Sequence, residues 1–244
     1  MNQHVALITG GAKGIGRGIA LDLAAQQSKI AICYRASEAA AQQTVQEINQ
    51  RGGQGLAIRC DVSDPAAAKA LVSQVEHEWG RIDVLINGAG PYHRINLFDE
   101  TVEGWNEMFD GNLHPIFYLA QAVAPGMKSR KAGRIISFSM ANADQMAAQP
   151  DVTGHYIAKA GVLILTRTLA KLLAPYGITV NAISPGFIDS GSAPPQELAA
   201  MTKRIPAGYI GTVDDTIAAV RYLLSEEARY VNGANIQISG AWGI

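Results

Sequence analysis

The chain has 244 residues, 48% of them hydrophobic and 17% charged, and carries a formal net charge of −1. These totals describe a globular protein with room for a sizeable core. They give no reason to expect nucleic acid or an acidic membrane surface as a partner.

Cys33 and Cys60 stand alone without metal-ligand spacing, so both read as small core residues and no metal is expected. No leader precedes Val5 and no apolar run is long enough to cross a bilayer, so a cytoplasmic enzyme or binding protein is expected.

His4–Thr9 (HVALIT) is a short apolar run with β-branched residues and reads as a buried strand. Gly10-Gly11-Ala12-Lys13-Gly14-Ile15-Gly16 follows, turning into an amphipathic helix that runs to about Gln27. Strand, glycine turn and helix make the first half of a βαβ unit. Free backbone N–H groups at such a helix start suit an anion, and glycine admits a pyrophosphate where a Cβ would collide. A plain tight turn is the alternative.

Lys29–Tyr34 (KIAICY) is the second strand, followed by Arg35-Ala36-Ser37 and a helix to about Arg51. In a dinucleotide fold the end of this strand meets the adenosine ribose, where an acid would favour NAD(H). No acid stands here. Arg35, with Lys13 from the glycine turn, supplies positive charge suited to a 2′-phosphate, so NADP(H) is the expected cofactor and NAD(H) the second choice. Two solvated surface cations are the alternative.

Gly55–Cys60 is the third strand, closing on Asp61-Val62. Either Asp61 accepts from an adenine amino group, or Asp61 or Ser63 merely caps the next helix, Pro65–Trp79. Arg81–Ile86 is the fourth strand and ends in Asn87-Gly88-Ala89-Gly90, a small-residue run that lets a flat ligand lie on the backbone or forms a tight turn.

A long helical region from about Thr101 to Met127 holds Asn112 and Pro115, and the proline predicts a kink. Asn112 is a solvation patch or a site residue. Gly133–Ser139 is the fifth strand, and Met140–Val152 a loop. The next helix runs to about Pro175, with Asp151 or Thr153 as its cap.

Gly177–Ser184 is the sixth strand, ending at Pro185-Gly186. Phe187–Ile210, helical only around Gln196–Arg204, suits a mobile lid. Asp214–Leu224 is a helix and Asn235–Ile238 a last strand. The alternation predicts one α/β domain over residues 1–244: a doubly wound parallel sheet (Rossmann) of about seven strands with helices on both faces.

Tyr156 and Lys159 lie one turn apart on a helix and point the same way. An unperturbed tyrosine titrates near pH ~10, and a nearby ammonium stabilises its phenolate. Such a pair can exchange a proton with a carbonyl or alcohol oxygen, the acid–base half of a hydride transfer.

Thr9–Gly16 (TGGAKGIG), Asp61-Val62, Asn87–Gly90 (NGAG), Asn112, Tyr156–Lys159 (YIAK) and Pro185-Gly186 occur in the order in which they stand in short-chain dehydrogenases/reductases, and the chain resembles that family nearly end to end. The resemblance implies NAD(P)(H) bound across the carboxyl ends of the strands. It makes Tyr156 the catalytic acid–base and gives Lys159 the nicotinamide ribose. Asn112 would position a water in the proton relay. Gly10, Gly14, Ile15 and Gly16 would line the pyrophosphate, and Asp61 and Val62 would meet the adenine. Asn87, Ala89 and Gly90 would lie on the adenosine side, and Pro185, Gly186 and Ile188 at the nicotinamide edge. Arg81–Gly90, Tyr176–Ile188 and Ile205–Leu224 look most like the 3-oxoacyl-acyl-carrier-protein reductases, whose substrate is an acyl thioester and which pair into homodimers and homotetramers.

Three departures stand out. The family's catalytic serine position, counted from Gly133, is Met140, whose thioether donates no hydrogen bond. Ser139 is its neighbour but alternates to the other face. Asn142 or Asp144 could supply a polar group instead, as an aspartate does in pteridine reductases. The loop after Met140 is longer, and the lid after Pro185 shorter, than in the reductases it resembles. The closing strand reads Ser239-Gly240-Ala241-Trp242 where Asp-Gly-Gly is usual.

Two functions follow from this reading. One is an NADPH-dependent reductase of a 3-oxoacyl thioester or other ketone, with Tyr156 as proton donor. The other is an NADP(H)-binding subunit or sensor with little turnover. A pteridine-reductase-like enzyme is a further alternative.

Overall fold

Apolar side chains on both sides of every central strand dictate a sheet covered on both faces. The computed structural model describes residues 4–191 and 195–243. Its first half alternates β1 (Val5–Thr9), α1 (Gly14–Ala24), β2 (Lys29–Tyr34), α2 (Glu38–Gln50), β3 (Gln54–Arg59), α3 (Pro65–Trp79) and β4 (Val84–Asn87). Helices α4 (Val102–Asn112) and α5 (His114–Arg130) lead to β5 (Gly133–Phe138), and α6 (Thr153–Leu173) leads to β6 (Ile178–Pro185). The last part holds β7 (Ile188–Asp189), α7 (Pro195–Thr202), β8 (Gly211–Thr212), α8 (Val213–Leu224) and β9 (Asn235–Ile238).

Seven parallel strands form one sheet in the order β3-β2-β1-β4-β5-β6-β9, while β7 and β8 pair separately. Leu7 is in register with Ala31 on one side and Leu85 on the other. Alternation then sorts the core. Leu7, Leu85 and Ile135 pack with α3 and α5 through Leu71, Val75, Leu119 and Val123. Ile8, Ile32 and Ile86 pack on the opposite face with Ile19, Ile48 and Leu223 from α1, α2 and α8. The strand order reverses between β1 and β4, and a crevice opens at their carboxyl ends.

The expected helix over Thr101–Met127 is two helices. The chain breaks at Leu113 (φ −114°, ψ −53°), and Pro115 falls in the first turn of α5, where its missing N–H costs nothing. The expected caps of α6 also give way. Val152 occupies the cap position with no side-chain hydrogen bond. Asp151 pairs with Arg94 at 3.1 Å, and the Thr153 hydroxyl bonds back to the Gln149 carbonyl at 2.7 Å. Asp64, not Asp61 or Ser63, caps α3 by accepting from the Ala66 N–H at 2.8 Å.

The segment after Gly186, expected to be a mobile lid, holds β7 and α7 in its described part, and β8 follows it. Its base is tied by the β7–β8 pairing, in which Ile188 faces Gly211; residues 192–194 lie outside the described part. Trp242, in the departure Ser239–Trp242, stacks on Phe187 at 4.5 Å, and the Ala207 N–H donates to the Gly240 carbonyl at 3.0 Å. The unusual closing segment therefore braces the lid base.

Candidate active site

The crevice carries a cavity of about 530 Å³. Gly10 makes its tight entry: φ is +68°, and a Cβ there would lie 2.9 Å from the Gly88 carbonyl oxygen. Gly16 is equally confined, since a Cβ would strike the Gly10 carbonyl. Helix α1 starts at Gly14 with Lys13 at its cap, with no capping side-chain bond and no acid in its first turn. Its first N–H groups are thus left to an anion, and an uncapped helix start beside a glycine-only approach fits the diphosphate of a dinucleotide.

Thr9, buried at the end of β1, accepts from the N–H groups of Gly88 and Ala89 at 3.1 and 3.2 Å. It holds the Asn87–Gly90 run against β1. Asn87 donates to Ser137 at 3.1 Å, and its Oδ1 is buried without a partner among the described residues.

Ala89, Gly90, Asp61 and Val62 line the cavity with Gly10 and Arg35. Asp61 accepts from the Ser63 hydroxyl at 2.7 Å and from its N–H at 3.1 Å, and these bonds hold the carboxyl below its ordinary range. Both bonds go to Oδ1. Arg35 is exposed and stands 4.0 Å from Glu107 of α4 across the cavity. Lys13 is exposed and does not line this cavity, unlike Arg35. Ile15 packs into the core rather than into the cavity. Glu103, Glu107 and Asp110 form an acidic wall on α4 that the sequence reading missed. Their spacing along one helix face was its available signal.

At the reaction end, Tyr156 is only 6% exposed. Its hydroxyl donates to the Asn142 carbonyl at 2.8 Å and accepts from the Ala147 N–H at 3.0 Å. Asn142 reaches this position with φ +63°, a conformation that Asn tolerates. Lys159 is buried and donates to the Phe138 carbonyl at 2.8 Å; burial pushes its pKa down to about 8. Asn112 donates to the Pro91 and Met108 carbonyls, each at 3.0 Å, and its Oδ1 is buried without a partner among the described residues. Pro185 accepts from the Ala141 N–H at 2.9 Å and Gly186 donates to Ile238 at 2.8 Å, fixing the turn that precedes Ile188.

Of the expected stand-ins for a serine at Met140, Ser139 and Asp144 are committed elsewhere, while Asn142 Oδ1 is buried without a partner among the described residues. Met140 packs against the apolar group of Ala143, Leu163 and Ala182. The Ser139 hydroxyl, buried, donates to the Lys159 carbonyl at 2.7 Å, because strand alternation turns it toward α6. Asp144 is exposed and takes Gln237 Nε2 at 3.0 and 3.2 Å. The polar groups at the tyrosine oxygen are backbone groups, which side-chain identities could not reveal.

The sheet order, the crevice and the glycine entry define a doubly wound dinucleotide-binding protein. The family model described as Enoyl-(Acyl carrier protein) reductase matches residues 10–241. Over 238 residues the chain is 36% identical to the 3-oxoacyl-[acyl-carrier-protein] reductase FabG of Staphylococcus aureus strain N315, covering 96% of each. It is 33% identical over 244 residues to FabG of Escherichia coli K12, covering 97% of this chain and 96% of that one. A putative short-chain alcohol dehydrogenase from Sinorhizobium meliloti superposes with a TM-score of 0.92 at 28% identity, covering 99% and 97% of the two chains. Acetoin dehydrogenase YohF from Salmonella typhimurium gives 0.89 at 28% identity, with 99% and 97% covered. The chain belongs to the short-chain dehydrogenase/reductase family, and it is an oxidoreductase of the CH–OH/C=O type that uses a nicotinamide cofactor.

His155 sits edge-on to Tyr92, with ring centroids 5.1 Å apart. Burial and the Lys159 charge push its pKa down to about 4, against a hydrogen bond to Pro91. The native state therefore holds it neutral while the unfolded chain protonates it near its ordinary 6.5. Stability is lost as pH falls from about 6.5 to about 4, by on the order of 3 kcal/mol at ~1.4 kcal/mol per unit. Urea titrations across that window should show the loss in the wild type and a flatter profile in His155→Phe.

Proposed function

We propose that the protein is an NADPH-dependent reductase of a 3-oxoacyl thioester, with Tyr156 as its proton donor. The observation that carries this reading is the placement of the Tyr156 hydroxyl. It is buried on α6 between one carbonyl and one N–H, one turn from the buried ammonium of Lys159. The relatives named as 3-oxoacyl-[acyl-carrier-protein] reductases support the substrate class.

The nicotinamide supplies the hydride. Gly10, Gly14 and Gly16 with the start of α1 hold the diphosphate. Asp61, Val62, Asn87, Ala89 and Gly90 hold the adenosine, and Pro185, Gly186 and Ile188 bound the nicotinamide end. Tyr156 delivers its proton by turning the O–H away from the Asn142 carbonyl toward the substrate oxygen. The Ala147 N–H, already aimed at that oxygen, stabilises the charge left on it. Lys159, anchored on Phe138, stays charged below pH about 8 and presents its ammonium to the ribose. The unpartnered Oδ1 of Asn112 is a site for the relay water. The segment Phe187–Ile210 closes over the substrate.

Tyr156→Phe keeps the ring and removes the proton. NADPH oxidation with β-keto thioesters should fall by about 10²–10⁴, with NADPH binding unchanged. NADPH binding without turnover on any β-keto thioester, ketone, quinone or pterin would instead leave a binding subunit.

NADPH preference rests on Arg35 and the lack of an acid at the end of β2. A guanidinium–phosphate bond is worth about 1.5–3 kcal/mol, or roughly 10–100-fold. Arg35→Ala should lower kcat/KM for NADPH by that factor and leave NADH nearly unaffected.

Self-association through α5 and α6 accounts for apolar side chains left in solvent. Phe117 is 47% exposed, Ile157 44%, Ile164 64% and Leu172 61%. Light scattering should report a dimer or tetramer for the wild type and a smaller species for Ile164→Glu, because a buried unpaired carboxylate is costly.

A further inference from the structure

Cys33 and Cys60 are not the two separate core residues that their spacing suggested. Cys33 is the buried penultimate residue of β2, and Cys60 directly follows β3. Cys33 is in register with Ile58, which puts Cys60 two residues further along on the same face. Both pack in one apolar group with Ile58 and Val62. The Cys60 N–H donates to the Tyr34 carbonyl at 2.9 Å, and Cys33 Sγ approaches the Cys60 carbonyl at 3.5 Å. Both residues line the adenosine end of the cleft, next to Asp61 and Arg35. Cys33 is 3% exposed, whereas Cys60 is half-buried and reachable from the cleft.

We propose that Cys33 and Cys60 form a dithiol site that a hydroperoxide oxidises to a disulfide, and that this oxidation and cofactor binding exclude one another. The second half rests on the cofactor reading above. The two thiols face each other across β2 and β3, and their proximity pushes Cys33 up and Cys60 down, although burial and the Asp61 and Asp64 carboxylates oppose the shift at Cys60. Thus Cys60 is both the accessible sulfur and the one favoured as thiolate, the nucleophilic form.

The chemistry closes in two steps. The Cys60 thiolate attacks a peroxide oxygen and the O–O bond breaks. Cys60 becomes a sulfenic acid, and the leaving hydroxide takes up a proton as water. Cys33 sulfur then attacks Cys60 sulfur. The S–S bond forms, the S–O bond breaks, and a second water leaves with the Cys33 proton. Two thiols lose two electrons, and hydrogen peroxide is reduced to two waters.

Cys60 lies two residues of strand rise beyond the register partner of Cys33, and a disulfide has narrow limits on Cα separation, so the bond would draw the ends of β2 and β3 together. Those ends are the floor on which Asp61 and Arg35 stand, and an adenosine lying there covers Cys60. Each event therefore weakens the other by the same factor.

The test treats the intact protein with hydrogen peroxide, with or without NADP⁺, which peroxide does not oxidise. Without NADP⁺, the chain should lose two hydrogens by intact mass, and a non-reduced digest should contain a Cys33–Cys60 cross-linked peptide that dithiothreitol releases. NADP⁺ at about 100 times its Kd should slow this by about 100-fold. The oxidised protein should bind NADP⁺ at least several-fold more weakly by calorimetry and recover after reduction. Cys60→Ser should form no bridge and leave Cys33 unreactive.

Absence of the bridge, or its formation only between chains, overturns the site. A bridge forming equally fast on protein that calorimetry shows to be saturated with NADP⁺ overturns the coupling and leaves the proposed function standing. Failure of the reduced protein to bind any nicotinamide cofactor counts against the proposed function, while the bridge assay still decides the dithiol site.

Discussion

One buried hydroxyl holds the cleft open at the right place. Thr9 ends β1, is 2% exposed, and accepts from two successive N–H groups that follow β4. Parallel strands that diverge at a switch point leave their last backbone groups without ladder partners. Thr9 satisfies two of these and fixes Asn87–Gly90 beside Gly10. The close approach of Gly10 to Gly88 and the N–H-rich start of α1 take their positions from this junction, as does the cavity wall at Cys33, which is in register with Thr9.

The same sheet sets the reaction end through burial. Lys159 is driven toward neutrality by desolvation and held by the Phe138 carbonyl at the end of β5. Its depressed pKa means that burying the charge opposes folding below pH about 8, and that the opposition is relieved as pH rises from there toward 10.5. His155, next to Tyr156, is kept neutral partly by that ammonium. Asn112, just before the helix break at Leu113, donates to the Pro91 carbonyl, which also lies close enough to His155 to oppose its downward shift. The cost of burying a cation is thus retained one helical turn from the Tyr156 hydroxyl.

What was legible in the sequence follows from period and side-chain identity. Lys29–Tyr34 is legible to the residue as a nearly unbroken apolar run, and Asn235–Ile238 as an alternation of polar and apolar residues on a half-buried edge strand. Gly10, Arg35, Asp61 and the Asn87–Gly90 run were placed in the crevice by motif order, and they meet there. The helix break was anticipated as a kink but lies at Leu113, because Pro115 is tolerated in a first turn. The caps of α6 failed because Asp151 and Thr153 had better local partners. The surroundings of the tyrosine oxygen were not legible at all. They consist of a carbonyl on a left-handed Asn142 and the N–H of an alanine, and neither depends on a recognisable side chain.

That irregular loop is fixed from outside itself. Gln145 donates to the Gly243 carbonyl, and Gly243 also lies against Asn142, where a Cβ would sit 3.1 Å from the asparagine Cβ. The adjoining Trp242 stacks on Phe187 at the lid base, and Phe187 in turn lies under Arg204 at 5.9 Å. A contiguous set of contacts therefore runs from Arg204 and Phe187, through Trp242 and Gly243, to the Asn142 carbonyl that accepts from the Tyr156 hydroxyl. The Tyr156 hydroxyl is thus held by backbone groups of a loop that Trp242 and Gly243 of the closing segment brace from outside.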